Sequence, residues 1–466
     1  MLEVATQARA ASLVMRASSI ASRNAALRAL SDLLEARSAA LSEANATDLA
    51  AARLAGLDAA VMKRLVLDVG KVDSLREGLG ALAVMDDPLG VETLARELSP
   101  GLELRRLTCA LGVIGVVFES RPEAVIQIAA LAIKSGNAVI LKGGKEAAAS
   151  NAALGACVAA ALAAAGLPSD AAQMVASRED LNELLSHDTL IDLVIPRGSA
   201  ALVKAVKAAT RIPVLGHADG ICHVYVAASA DGAVAARVAC DSKINYPAAC
   251  NAAETLLLDA AVPAGVVDQI ARALLAAGVT LHADAACAPA LRAARAALED
   301  ESKSQSQSRS TPLSLGSVID AVSSDWDTEW LSLHMSVAVV ASVDDGVAWV
   351  NRHGSHHTDA VVCAQGDPNG AAFAAGVDSA SVFVNASTRF ADGFRFGFGA
   401  EVGVSTGRIH SRGPVGVDGL LTYRYQLVGE GHVCAQFSAV RGEAEVQVAG
   451  QKLPALAYTH VTHRGR

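Results

Sequence analysis

Apolar residues recur at three- to four-residue spacing from the N-terminus to about residue 90, through Leu30, Leu33 and Leu34, with Ser42 and Asn45 as caps. That period predicts helices. From Leu102 to Val117 the pattern changes to short β segments around Gly112 and Gly115. Strand-like apolar runs then alternate with helical stretches. Ala138–Leu141, Gln173–Ser177, Ile191–Ile195, Pro213–Gly216, Cys222–Ala227 and Glu254–Leu258 are predicted strands. Between them lie an alanine-rich helix, a short helix near Leu181 and a helix through Val203 and Val206. Such βα repetition predicts an α/β fold with parallel, doubly wound sheets and ligands at the strand C-termini.

Further α/β units run to about residue 385. The tail after Arg408 contains strand-like pieces, Leu421–Leu427 and Glu443–Val448, suited to an assembly edge. Ser302–Ser310 is a low-complexity, serine-rich run that cannot bury itself and is expected to be an exposed loop or a disordered insert.

Length and composition narrow the function classes. At 466 residues the chain is long enough for two or three domains. With 52% hydrophobic but only 3% aromatic residues, its cores are built from Ala, Val, Leu and Ile. A net charge of −9 argues against nucleic acid or an anionic membrane as partner. The uncharged stretch Ala148–Leu167 is mostly alanine and carries Ser150 and Asn151, so it is expected to be a buried helix and not a membrane span. Val4–Ser31 has four arginines and no acid, as a transit peptide does; the apolar spacing runs on without a break, which favours an ordinary amphipathic helix and a cytoplasmic protein. The eight cysteines form no CxxC pair, and most sit in apolar runs as buried free thiols do.

Two turns suit anions. Leu141-Lys142-Gly143-Gly144-Lys145 and Pro196-Arg197-Gly198-Ser199 each leave a strand for a helix, where free N–H groups and the helix dipole favour phosphate. Each alone is also ordinary turn chemistry; together they favour a phosphate-bearing cofactor. Gly397-Phe-Gly399 misses the dinucleotide fingerprint because the third glycine falls one place late. His356-His357, near His353, finds only Asp359 at ligand spacing, so no metal is expected. Cys250, on a loop of small residues before a strand, reads from composition alone as one more buried thiol.

Its setting changes that weighing. Tyr246-Pro-Ala-Ala-Cys-Asn-Ala-Ala-Glu-Thr255 resembles the nucleophile segment of the γ-glutamyl phosphate reductase family, in the aldehyde dehydrogenase superfamily. Gly112–Pro122, Leu141–Glu146, Gly216–His223, Gly354–Asp359 and Asn385–Gly403 resemble the same family, in family order, over nearly the whole chain. The serine-rich run and a longer tail depart from it.

The resemblance implies two doubly wound lobes with a small oligomerisation arm. Residues 1–225 would form a cofactor-binding domain (with 98–112 in the arm), 226–385 a catalytic domain, and 386–466 a return segment and C-terminal arm. It implies NADPH-dependent reduction of L-glutamyl 5-phosphate through a thioester on Cys250, in a homo-oligomer (dimer or tetramer). Asn251 belongs with the catalytic group. Arg121 stands where the superfamily has an oxyanion asparagine and is assigned to the reacting end of the substrate. Arg389 is assigned to the substrate carboxylate, Lys142 to the adenosine ribose, Gly198 and Ser199 to the pyrophosphate, and Glu329 to the nicotinamide ribose. His217 stands where the superfamily has its water-activating glutamate, so phosphate and not water is the expected partner of the acyl group. A hydrolytic dehydrogenase and a catalytically dead assembly subunit are the alternatives.

Overall fold

The computed structural model describes residues 1–305, 315–438 and 444–463. Two compact units divide the chain: Met1–Ile195, Ala209–Val214 and Gly416–Arg466 form unit 1, and Pro196–Ala208 with Leu215–Val415 forms unit 2.

Unit 1 opens with helices α1 (Leu2–Ala17), α2 (Ile20–Ala36), α3 (Ser38–Leu54), α4 (Ala59–Leu65) and α5 (Val69–Val84). The acid-poor N-terminus is amphipathic: α1 buries Ala5, Ala8 and Met15, and α2 buries Ala26, Leu27, Leu30 and Leu34. Asn45, expected as a cap, is instead interior to α3, where its Nδ2 donates to the Leu65 carbonyl at 2.8 Å. Strands β1 (Glu92–Ser99) and β2 (Leu102–Ala110) form a hairpin, and β3 (Val113–Phe118), α6 (Ala124–Lys134), β4 (Ala138–Lys142), α7 (Ala148–Ala164), β5 (Ala172–Val175), α8 (Arg178–Leu184) and β6 (Leu193–Arg197) follow. The sheet order β5-β4-β3-β6, with β3–β4 and β4–β5 parallel, is the predicted first lobe. The alanine-rich helix is α7; its buried face, including Leu154, Cys157, Val158 and Leu162, packs against α2 and α3.

Two strand predictions need correction. Pro213–Gly216 is no strand but a single bridge, Val194 to Val214; Pro213 has no N–H to donate and offers only its carbonyl, to Val194 at 2.9 Å. Strand β1 was not predicted, because only Ala95 and Ser99 along it are buried and its polar sequence shows no apolar alternation.

Unit 2 begins with α9 (Ala200–Ala209, which ends across the boundary) and continues through β7 (Cys222–Val226), α10 (Gly232–Ile244), β8 (Ala253–Asp259), α11 (Ala264–Ala276), β9 (Thr280–Ala283), α12 (Ala288–Gln305) and β10 (Val318–Asp320). Then come β11 (His334–Val340), α13 (Val343–His353), β12 (Thr358–Val362), α14 (Pro368–Gly376), β13 (Ser381–Val384) and the short pair β14 (Val404–Ser405) and β15 (Gly413–Pro414). The seven-stranded sheet runs β10-β9-β11-β8-β7-β12-β13, and among the described residues its pairings are parallel. Alternate residues feed opposite cores. Val224, Val226, Leu256, Leu258, Ala360 and Val362 face one cluster; Tyr225, Leu257 and Val361 face the other with Phe373. A sheet covered on both faces shows continuous apolar strands, which is why β7 and β8 were legible. The first residues of the serine-rich run, Ser302–Gln305, prolong α12 instead of forming a loop; residues 306–310 lie outside the described residues.

Back in unit 1, β16 (Leu421–Val428) pairs antiparallel with β2. The small pair β17 (Glu445–Val448) and β18 (Gln451–Pro454) and strand β19 (Val461–His463) complete the chain. The antiparallel sheet β16-β2-β1-β19 leaves β16 at an edge with Tyr423, Tyr425 and Leu427 exposed.

Candidate active site

Sheet order decides which loops meet. Strands β8, β7 and β12 are neighbours, and Cys222 at the start of β7 pairs with Ala253 at the start of β8. Parallel strands that start together bring their entry loops together. The loop into β7 carries His217 and Gly220, the loop into β8 carries Cys250, and the loop into β12 carries His357. The candidate nucleophile therefore sits at the amino end of this sheet. Three convergent entry loops build this thiol's surroundings.

Cys250 is half-buried, unlike Cys157, Cys222, Cys287 and Cys363, which are fully buried. Burial pushes the Cys222 thiol well up and so keeps it an inert thiol. The expectation that most of the eight cysteines are buried holds for four of them; Cys109, Cys240 and Cys250 are partly exposed and Cys434 is exposed. The loop around Cys250 is held at both ends. Helix α10 carries Lys243 in its last turn, and β8 carries Glu254. The two side chains are fully buried and ion-paired. Burial raises the Glu254 carboxyl to about 7 against the opposing pull of Lys243, and lowers Lys243. Between them Tyr246 takes a left-handed φ of 85°, turning the chain sharply.

The segment Ser387–Ala391 straps this loop down. Thr388 Oγ1 donates to the Asn251 carbonyl at 2.6 Å, and Asn251 Nδ2 donates to the Ala391 carbonyl at 2.9 Å. The Asn251 side chain is thus buried and engaged with backbone. Arg389 Nε donates to the Asn245 carbonyl at 2.7 Å, and its guanidinium lies 6.0 Å from the centre of the Tyr246 ring. Among the described residues no carboxylate is paired with Arg389, which is 8% exposed. Burial lowers its pKa and the neighbouring Arg395 charge adds to that, while the Cys250 thiolate form would oppose it.

Gly220 is pressed against Cys250: a Cβ there would lie 2.1 Å from the Cys250 carbonyl oxygen. Its N–H donates to Glu329 Oε1 at 2.9 Å, so Glu329 braces the same loop. Burial raises the Glu329 carboxyl and the Gly220 N–H partly offsets this. His217 Nδ1 bonds the Val404 carbonyl at 2.9 Å. Its ring lies edge-on to that of His357, 4.8 Å between centres. Gly198 and Ser199 are exposed at the start of α9, where Ser199 Oγ accepts from the Leu202 N–H at 3.4 Å. Arg197 beside them is held by the Glu401 carbonyl at 3.1 Å.

The remaining predicted residues belong to unit 1. Lys142 ends β4 and Arg121 follows β3. Glu146 Oε1 accepts from the Ser120 N–H at 2.7 Å and its hydroxyl at 2.8 Å, fixing the turn that carries Arg121. Gly144 makes room for that carboxylate, since a Cβ there would lie 2.0 Å from it. The expected anion site at the start of α7 is already filled: Asp48 accepts from the Ala149 and Ser150 N–H groups at 3.0 and 2.8 Å. The side chains of Lys142 and Lys145 are the cations this turn offers an anion.

A half-exposed thiol on a braced loop entering a parallel strand is the arrangement the resemblance implies for a nucleophile. The sequence profile of the aldehyde dehydrogenase family matches residues 2–307. A γ-glutamyl phosphate reductase of Trichodesmium erythraeum is 45% identical over 94% of this chain and 96% of its own length. The chain belongs to the γ-glutamyl phosphate reductase branch of the aldehyde dehydrogenase family. A second reductase of that name, from a Cyanothece species, is 46% identical over 94% of this chain and 95% of its own. The crystal structure of γ-glutamyl phosphate reductase from Thermotoga maritima superposes with a TM-score of 0.83 at 32% identity, over 93% of this chain and 99% of that one. The aldehyde dehydrogenase-like fold is thereby established.

Within this family frame, sequence reasoning passed over Lys243, Glu254, Thr388, Gly220 and the pairing of His217 with His357. All five lie in or beside the motifs that carried the resemblance, so position along those motifs was the available signal. Their partners are set by the fold.

Proposed function

We propose that this chain reduces L-glutamyl 5-phosphate to L-glutamate 5-semialdehyde and phosphate with NADPH, as the second step of proline synthesis from glutamate. The observation that carries the reading is Cys250: half-exposed, on a loop braced by Gly220, Thr388 and the Lys243–Glu254 pair, in a chain 45% identical to a named reductase over nearly its full length.

The Cys250 thiolate attacks the acyl carbon; a C–S bond forms, the C–O bond to phosphate breaks, and phosphate leaves with the electron pair. Arg389 holds the substrate carboxylate, its terminal guanidinium nitrogens suiting a bidentate grip. Arg121, at the position the resemblance gives to the reacting end, is assigned to the phosphate. Asn251 acts through its backbone ties, keeping the thiol in place.

The residues fit a dinucleotide. Lys142 is available to the ribose hydroxyls, and the exposed Lys145 adds a second cation that favours a 2′-phosphate, hence NADPH. Gly198 and Ser199 offer an exposed helix start to the pyrophosphate. Glu329 keeps Oε2 for the nicotinamide ribose. When bound, the reduced nicotinamide supplies the two electrons that take the thioester to the aldehyde. The functional domains 1–225, 226–385 and 386–466 follow from this reading, as do a cytoplasmic location and a homo-oligomer assembled through the exposed edge of β16.

His217 favours the reductase over a hydrolytic dehydrogenase. Water attack on the thioester needs a general base, and would waste the activated acyl group. The test supplies the semialdehyde (in equilibrium with its cyclic pyrroline) and NADP, with and without phosphate. Oxidation that requires phosphate is expected; sustained NADPH formation in phosphate-free buffer would overturn the reading.

A further inference from the structure

One ring nitrogen each of His217 and His357 and the Cys250 sulfur all lie within 4.8 Å of one another. We propose that these three side chains form a binding site for a borderline-soft divalent cation of the Zn2+ type, and that the cation silences the nucleophile by occupying its sulfur.

Three observations support it. The donor set is two imidazoles and a thiolate, the ligand types such cations prefer, with a fourth position open toward solvent because His217 and Cys250 are only half-buried. Second, the outer bonds are those of metal-binding histidines. His217 Nδ1 is tied to the Val404 carbonyl at 2.9 Å, which fixes the proton on Nδ1 and leaves the Nε2 lone pair free. His357 Nδ1 is likewise engaged, with Thr358 Oγ1 at 2.8 Å. Third, His357 Nε2 is fully buried and, among the described residues, has no hydrogen-bond partner. A buried polar atom left without a partner is costly, and a ligand at that position would relieve it.

The geometry needs a small closure. Bonds of about 2.0–2.1 Å to nitrogen and about 2.3 Å to sulfur in a tetrahedron put donors roughly 3.3–3.6 Å apart. The longest separation here is up to 4.8 Å. Rotation of the Cys250 side chain and a shift of half-buried His217 supply the difference, while His357 stays anchored in the wall. On binding, the thiol proton passes to solvent and the sulfur bonds the cation. Aldehyde dehydrogenase chemistry needs that sulfur free, so the effect on turnover rests on the proposed function; the binding itself does not.

The experiment uses the full chain with Cys434→Ser, to remove the exposed thiol, and Co2+ as the spectroscopic probe. One equivalent of Co2+ is expected to give a thiolate-to-cobalt charge-transfer band, displaced by Zn2+. Cation binding should also slow alkylation of Cys250 by iodoacetamide at least about ten-fold. Cys250→Ser should abolish the band, and His217→Ala and His357→Gln should each weaken binding by about ten- to hundred-fold. His217, only half-buried, keeps the test open should the buried His357 variant not fold. Absence of the band, its survival in Cys250→Ser, or unchanged affinity in His217→Ala would overturn the site. Alkylation is a readout separate from turnover: a band with slowed alkylation but unaffected reductase activity would retain the site and instead refute Cys250 as the nucleophile.

Discussion

Replacing Gly220 with alanine tests whether the loops at the amino end of the seven-stranded sheet set the nucleophile's position. The added Cβ would lie 2.1 Å from the Cys250 carbonyl oxygen and 2.5 Å from its Cα. Both are backbone atoms, so no rotamer change relieves the clash. Separating them to the 3.0 Å that real Cβ atoms respect moves one loop against the other by about 0.9 Å at least. The Cys250 loop resists, being tied to Thr388 at 2.6 Å and bracketed by a buried ion pair. The overpacking is expected to cost about 1–3 kcal/mol of stability. A displacement of about 1 Å at a reacting group lowers turnover on the order of 100-fold. The assay is kcat for reductase turnover beside the rate of Cys250 alkylation, on protein shown to be folded. Gly80→Ala in α5 is the control: a Cβ there meets nothing within 4 Å, and the change should leave turnover unchanged and stabilise by about 0.5–1 kcal/mol. Wild-type turnover in Gly220→Ala would refute the claim that this contact positions the thiol.

Two further outcomes follow from the assigned binding residues. Lys142→Ala should raise the KM for NADPH about ten- to hundred-fold, the loss of one charge-assisted hydrogen bond, with little change for the acyl substrate; an unchanged cofactor KM would remove Lys142 from the site. Arg389→Lys should lower kcat/KM for the acyl substrate about ten- to hundred-fold with a small change in melting temperature. A large melting shift with normal activity per folded molecule would make Arg389 a structural residue.

The sequence showed the lobes where burial is complete. Strands β3, β7 and β8 are buried along their whole length and lie in segments the sequence marked as β. Strand β1 and the bridge at Val214 did not read correctly, because one is mostly solvated and the other is limited by a proline. The nucleophile became visible only through its resemblance, since a half-buried cysteine among alanines has no composition signal of its own. His217 and His357 are 140 positions apart in the chain. They meet because β7 and β12 are adjacent, a fact of strand order that periodicity does not encode. For the same reason, counting only the sequence neighbours of His357 found no ligand set. The capping of α7 by Asp48, from a distant helix, was equally hidden and redirects the cofactor argument from helix N–H groups to lysine side chains.

The central claim is that the Cys250 sulfur is the nucleophile, and Cys250→Ser tests it most directly. The two side chains are nearly the same size, so the fold and NADPH binding should be preserved. A hydroxyl is a far weaker nucleophile near neutral pH and gives an ester where a thioester is needed. The measurement is reductase turnover of the variant, with cofactor binding followed in the same sample. Nearly complete loss of turnover with cofactor affinity retained is the predicted result. Retention of about a tenth of the wild-type rate or more, far above what a serine hydroxyl supports in place of a thiolate, would contradict it.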